Sequence, residues 1–399
     1  MNRKYIAEIG SFLGYFRKEA KPMFSKKLYL STPTMHGEEM KYIQEAFDTN
    51  WIAPLGKNVD AFEAEMSEYL GICKAVAVSS CTAALHLAIK LCGLKPDEPV
   101  FCSDLTFSAT VNPVSYEGGK QVLIDSERDT WNMDPEALER AFQKYPQCRV
   151  VIVVNLYGTP AKLDRIREIC DAHNAILIED AAESLSSSYQ EKKTGTFGDY
   201  NAISFNGNKI ITSSGGGMLL SDNEEAMKKA FFWATQAKDP APWYQHSEIG
   251  YNYRMSNVVA GIGRGQLIHL DEHRDRKIAI YERYKKGLQG LPLQMNPYTP
   301  DAKPNHWLSC ILLDKDCGVA PGDIIRVLEK ENIESRYIWK PMHMQPVFAD
   351  CDYIRVEDTS VSEDVFKRGL CLPSDIKMTE EEQDYVISVI RGIFEKNEG

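Results

Sequence analysis

Lys209 is the residue around which this chain offers chemistry. It lies in Gly198–Asp222, GDYNAISFNGNKIITSSGGGMLLSD. The apolar run Ala202–Phe205 predicts a strand, and the polar turn Asn206-Gly207-Asn208 after it delivers the lysine. Ile210–Thr212 follows, then a small-residue turn, Ser213–Gly217, and a second apolar run, Met218–Leu220. Glycines behind the lysine allow close backbone approach. A lysine so placed can hold a phosphate as a point charge or form a Schiff base with a carbonyl. For an arbitrary lysine the ordinary alternative is a solvated loop side chain. The GxxxxGK[ST] spacing of a P-loop is absent.

Other segments carry candidate chemistry of their own. AILIED is an apolar strand ending on Glu179 and Asp180, which puts Asp180 at the carboxyl edge of a sheet, where open α/β folds bind ligands. Such an acid can equally cap the next helix. AVAVSSCTAALHLAI reads as strand, small polar turn and a helix opening at Thr82. Free N–H groups and the helix dipole there suit an anion, although an ordinary Ser/Thr cap has the same pattern. Phe107, in CSDLTFSATVNPV, follows a strand end directly; a core aromatic is the alternative. GYNYRMSNVVAGIGRGQL is a polar turn before a helix, and YIWKPMHMQPVF sets His343 between two prolines. A lone histidine is more often structural.

The elements that must position these residues alternate along the chain. Gly37–Phe47 and Val59–Leu70 have helical spacing, and the proline-glycine loop Trp51–Gly56 joins them. Strands are expected at Ala75–Val78, Pro99–Ser103, Gln121–Asp125, Val150–Asn155 and Ala175–Glu179. Helices are expected at Thr82–Cys92, from Thr110, at Pro135–Phe142 and at Leu163–His173. Short strands separated by helices imply right-handed crossovers and a largely parallel sheet covered on both faces, hence an α/β fold. A long helix is expected to begin near Gln266 and to bridge to a smaller α+β domain from about Pro292. The expected division is an extension over 1–28, a large domain over 29–265, and bridging helix plus small domain over 266–399.

A chain of 399 residues can bury two substantial cores. Its net charge of −11 argues against nucleic-acid or membrane-surface binding. No apolar stretch approaches a membrane span, and the N-terminal apolar segment is broken by Glu8, Arg17, Lys18 and Glu19, unlike a signal peptide. The ten cysteines form no CxxC pair and sit mostly in apolar runs, which suits buried thiols in a reducing compartment. A cytoplasmic enzyme without a metal is the expectation.

SFNGNKIITSSGGGML resembles the lysine motif of the DegT/StrS-type pyridoxal-phosphate-dependent sugar aminotransferases, most of all those aminating C4 of UDP-linked 4-keto-6-deoxy sugars. The similarity runs from Tyr29 to LCLPSDIKMTEEEQ. It implies the aspartate-aminotransferase-type fold with a seven-stranded, mainly parallel sheet. Lys209 would be the lysine bonded to pyridoxal 5'-phosphate, with pyridoxamine phosphate formed in turnover, and Asp180 the acid at the pyridine nitrogen. In EDAAES, Glu183 would lie beside the cofactor's 3-hydroxyl. Cys81, Thr82 and Ser204 would cradle the phosphate and Phe107 would stack on the ring. Cys81 stands where the family has glycine; were that glycine needed for φ > 0, Cys81 would carry about 1–2 kcal/mol of strain, whereas a slot for a small side chain carries none. The resemblance further implies a homodimer with shared sites. Asn252 would reach the partner's phosphate with Arg254 nearby, while Trp51 and His343 would lie near substrate. The implied substrates are an amino acid, glutamate foremost, and a nucleotide-linked keto sugar. Two rival readings are a pyridoxamine-phosphate-dependent sugar dehydrase, whose relatives carry histidine at the position of Lys209, and a non-catalytic sensor on the same fold.

Overall fold

The computed structural model describes residues 26–395, so all of the expected extension up to residue 25 lies outside the described residues. The alternating pattern forms a large sheet. Its strands are β1 (Lys74–Val78), β2 (Pro99–Ser103), β3 (Lys120–Ile124), β4 (Val150–Val154), β5 (Ile176–Asp180), β8 (Tyr200–Ser204), β9 (Gly217–Ser221) and β14 (Asp352–Ile354). The spatial order is β1-β9-β8-β5-β4-β2-β3-β14. Only β9 runs against its neighbours, β1 and β8; the other pairings are parallel. Seven strands come from residues 74–221, as the resemblance implies, and β14 adds an eighth at the β3 edge.

Strands such as β4, VVIVV, are buried at every position because helices cover both faces of the sheet. One face packs α3 (Cys81–Leu91), α4 (Asn112–Tyr116) and α7 (Glu224–Ala234) through Leu85, Val114 and Met227. The other packs α5 (Pro135–Lys144) and α6 (Leu163–Ala172) through Leu138, Phe142 and Ile166. A third apolar cluster joins α2 (Lys57–Leu70), through Phe62, Met66 and Leu70, to Phe205, Ile210 and Ile211 around the lysine turn. Helix α1 (Glu38–Asp48) lies against α8 (Asn257–Leu267).

The long helix expected near Gln266 is continuous and starts a few residues later, at Leu270. Helix α8 ends at Leu267, and α9 (Leu270–Gly287) starts after His269. Beyond it, β10 (Leu293–Met295), β12 (Cys310–Leu313), β13 (Arg336–Tyr337) and β15 (Gly369–Cys371) form an antiparallel sheet in the order β10-β12-β15-β13. Leu328 of α10 (Pro321–Lys330), Ile390 of α12 (Glu380–Glu395) and Tyr284 of α9 cover it. Helix α11 (Val361–Arg368) follows β14. A small sheet of β6 (Ser188–Tyr189), β7 (Lys192–Lys193) and β11 (Ala302–Lys303) ties the segment after β5 to the C-terminal half. None of the ten cysteines is in a disulfide and seven are buried. No helix among the described residues is long and apolar enough to cross a membrane.

Candidate active site

The carboxyl ends of β5 and β8 and the start of α3 meet at one cavity of about 350 Å³. Seven of the eleven candidate residues line it: Cys81, Thr82, Phe107, Asp180, Glu183, Ser204 and Lys209.

Helix α3 begins at Cys81, with Ser80 as its cap: the Ser80 hydroxyl accepts from the Ala83 N–H at 3.1 Å. The Cys81 and Thr82 N–H groups have no hydrogen-bond partner among the described residues, and both residues line the cavity. An anion there would satisfy them and meet the positive end of the helix dipole. Cys81 is not among the residues with positive φ, so its thiol fills a tight slot without backbone strain. Glycine is needed across from it instead. A Cβ on Gly217 would come within 2.4 Å of the Cys81 nitrogen, so the strand after the lysine turn can lie against the helix start only without a side chain there.

Asp180 ends β5. One carboxylate oxygen accepts from the Thr110 hydroxyl at 2.7 Å, and Thr110 is itself 2.6 Å from the Thr106 hydroxyl. The other accepts from the Ala182 N–H at 3.1 Å. Burial raises its carboxyl above the ordinary range, against the pull of those hydrogen bonds and the Lys209 charge. Its neighbour Glu179 faces away and is saturated by the Asn155 amide and the Gly195 and Phe197 N–H groups, which fixes the loop between β5 and β8.

Lys209 is held between two side chains. Its Nζ lies 4.0 Å from Glu183 Oε1 and 4.1 Å from the centre of the Trp307 ring. The Trp307 indole N–H donates to the Asn208 carbonyl at 2.7 Å, so the same tryptophan grips the turn that carries the lysine. Glu183 accepts from the Tyr157 N–H at 2.5 Å, Tyr157 having φ 53°. Burial pushes the Glu183 carboxyl up to about 7, with Lys209 and the Tyr157 N–H opposing. A carboxyl raised in the folded state binds its proton more tightly than in the unfolded one. The associated stability is therefore complete below about pH 4.5 and is lost as pH rises through about 7. In cofactor-free protein, Glu183→Gln should melt higher than wild type near pH 8, by up to about 3 kcal/mol, and the gain should vanish toward pH 4.5. Melting curves whose difference ignores pH would refute the shift.

Phe107, 57% exposed, forms an aromatic wall with Trp339 (ring centres 5.4 Å apart) and Trp307. Trp307, Trp339, Thr110 and Ser80 were not singled out in the sequence. The one signal available was two tryptophans in otherwise polar stretches, NHW and YIWK.

The remaining four candidates are not brought to this cavity by their own chain. Arg254 is buried; its guanidinium donates to the Ala77 carbonyl at 3.1 Å, pairs with Glu63 and lies over the Phe231 ring. Asn252 is exposed and bridges to Thr235. Trp51 is also exposed, its carbonyl accepting from the Asn257 amide at 2.6 Å. The His343 ring nitrogen Nδ1 is 2.7 Å from Asp104, its N–H donates to the same carboxylate, and its ring stacks on Tyr353. Burial opposes a charged ring there, but Asp104 outweighs it and the net direction is upward.

A buried carboxylate at a parallel strand end, a gripped lysine and unpaired helix amides fit the nitrogen, aldehyde and phosphate of pyridoxal phosphate. Fold and cavity together define the class of pyridoxal-phosphate enzymes with the aspartate-aminotransferase-type fold. The profile of the DegT/DnrJ/EryC1/StrS aminotransferase family matches residues 33–391. EpsN of Bacillus subtilis, assigned to the pyridoxal phosphate-dependent aminotransferases, is 51% identical over 375 residues, covering 92% of this chain and 96% of EpsN. GDP-perosamine synthase of Caulobacter vibrioides is 33% identical over 91% of this chain and 97% of its own length. The crystal structure of a family aminotransferase from Brucella abortus superposes with a TM-score of 0.83 at 26% identity, over 90% of this chain and 95% of that one. The chain belongs to the DegT/DnrJ/EryC1/StrS aminotransferase family. It is a pyridoxal-phosphate-dependent transaminase.

Proposed function

We propose that this enzyme moves an amino group from an amino acid, glutamate foremost, to C4 of a nucleotide-linked 4-keto-6-deoxy sugar for surface-polysaccharide synthesis. The observation that carries the reading is Lys209 between Glu183 and the Trp307 face, with Asp180 in the same cavity. The similarity to GDP-perosamine synthase supports a nucleotide sugar. So does a second chamber of about 410 Å³ that shares Phe107, Asn208, Trp307 and Trp339 with the first and adds Arg336, large enough for the nucleotide half.

Bound pyridoxal phosphate would supply an electron sink for the pair left when a proton is removed beside the amino nitrogen. In this reading the chain's own residues do the rest. Asp180 holds a proton on the ring nitrogen, fixed in place by Thr110 and Ala182. The Cys81 and Thr82 N–H groups and the Ser204 hydroxyl bind the phosphate, and Phe107 covers a ring face. Glu183 reaches the ring hydroxyl. Lys209 Nζ, released by the incoming amine, takes the proton from the donor carbon and later returns one to the sugar carbon. The Trp307 and Trp339 wall limits water at that step. Asn252, and with it Trp51, would complete the site of a second copy in a homodimer, since the chain leaves both exposed. The large domain over 29–265 supplies the lysine side and the remainder supplies the tryptophan wall.

The test is a transfer screen with ¹⁵N-labelled glutamate, aspartate and glutamine against UDP-, GDP- and dTDP-linked 4-keto and 3-keto sugars. Label should appear on C4 of a 4-keto sugar. Label on C3, or none on any sugar while glutamate is still deaminated, would overturn the sugar assignment without touching the transaminase class.

A further inference from the structure

The sequence HLDEH, His269–His273, opens α9 and places two imidazoles four residues apart with Glu272 between them. His36, in the segment leading into α1, completes a cluster outside the cavity. A ring nitrogen of His36, one of His269 and a carboxylate oxygen of Glu272 lie within 4.8 Å of one another. The His36 and His269 rings are stacked with centres 3.7 Å apart.

The hydrogen-bond inventory is unbalanced by one positive charge. A neutral imidazole carries a single N–H. His269 has a carboxylate at each nitrogen, Glu272 Oε2 at 3.2 Å from Nδ1 and Glu38 Oε2 at 3.3 Å from Nε2. One N–H satisfies one of them, and at the other nitrogen a lone pair faces an anion. A cation placed between that nitrogen and the carboxylate would relieve the contact. His36 is prepared for the same role. The buried His273 donates from Nδ1 to the Ile210 carbonyl at 2.7 Å, so in its neutral form its Nε2 accepts from His36 Nε2–H, also at 2.7 Å. The lone pair of His36, on Nδ1, then has no hydrogen-bond partner among the described residues.

We propose that His36, His269 and Glu272 bind a divalent transition-metal cation of the zinc class. Two imidazoles and a carboxylate are a borderline donor set that suits zinc, with a position open to water. Both ligating rings already have the support that metal-bound histidines use. Glu38 accepts from the far nitrogen of His269, and His273 accepts from that of His36. The two rings are stacked, so coordination requires them to tilt until their lone pairs converge while keeping the bonds to Glu38 and His273. The ion would fasten the segment before α1 to the head of α9, beside the backbone of Ile210, the residue after Lys209.

Untagged, cofactor-loaded protein, stripped with a chelator and desalted, is titrated with Zn²⁺ by calorimetry and with Co²⁺ by visible absorption. One ion per chain should bind, with cobalt ligand-field bands and a melting point that rises with Zn²⁺. His269→Ala and His36→Ala should each weaken binding at least tenfold. So should Glu272→Gln, which alters only an exposed side chain and so guards against a folding defect. Glu38→Gln keeps all three ligands and should weaken binding by about ten- to hundredfold through the lost support. No bound ion would overturn the proposal. Binding unchanged in the Glu272 and His269 variants would overturn it equally, by placing the metal elsewhere.

Discussion

Lys209→Ala is expected to abolish sustained amino transfer, with kcat/KM falling by roughly 10²–10⁴-fold or more, because the only amine among the described residues lining the cavity would be lost to both proposed proton transfers. The fold should survive. The Lys209 side chain rests against Trp307 and Glu183, while the turn is held by bonds to its backbone, such as that from the Trp307 indole to the Asn208 carbonyl. Borohydride treatment of wild-type holoenzyme should fix the cofactor to the peptide carrying Lys209 and bleach the near-visible band, and the alanine variant should take up no such label. An alanine variant with normal turnover would remove Lys209 from the reaction. The same variant tests the shared site. Mixed with an inactive Asn252 variant carrying a bulky acidic residue, under conditions of subunit exchange, it should regain activity, because one site of each mixed dimer escapes both defects. With exchange confirmed, a mixture that stays dead would refute a contribution of Asn252 across the interface.

Asp180→Asn is the second large effect. The amide preserves size and can keep contacts to Thr110 and the Ala182 N–H, so cofactor should still bind. What disappears is the negative charge that, in the proposed mechanism, would hold a proton on the ring nitrogen. A loss on the order of 10²–10³ is expected, falling on kcat and kcat/KM together, as for an interaction that strengthens in the transition state. Thr110→Ala keeps the carboxylate and loosens it, so a smaller loss is expected. If the asparagine variant turns over normally, Asp180 has no electronic role.

Much of this architecture was legible because its causes are local. Apolar runs of five residues separated by helical spacing leave a covered parallel sheet as the economical outcome, and β1 to β5 lie where those runs predict. Asp180 and Thr82 stand at a strand end and a helix start, positions that a parallel sheet gathers on one edge, and Lys209 stands in the turn after β8; the motif resemblance is what singled the three out. Trp307 and Trp339 were not. They arrive from far along the chain, and nothing near them in sequence records that the Trp307 indole will hold the Asn208 carbonyl.

The strand β14 changes what kind of object the C-terminal half is. The chain leaves the large sheet at Ser221 and rejoins it at Asp352, in register with Val122 on β3. Everything between, including the tryptophan wall of the cavity, is therefore a closed loop sewn to the sheet at both ends, with the Asp104–His343 contact as a further stitch. A polymer segment pinned in this way cannot drift off when its contacts open. Its ends hold it at a high effective concentration over Lys209, and the wall re-forms by a short search within one molecule.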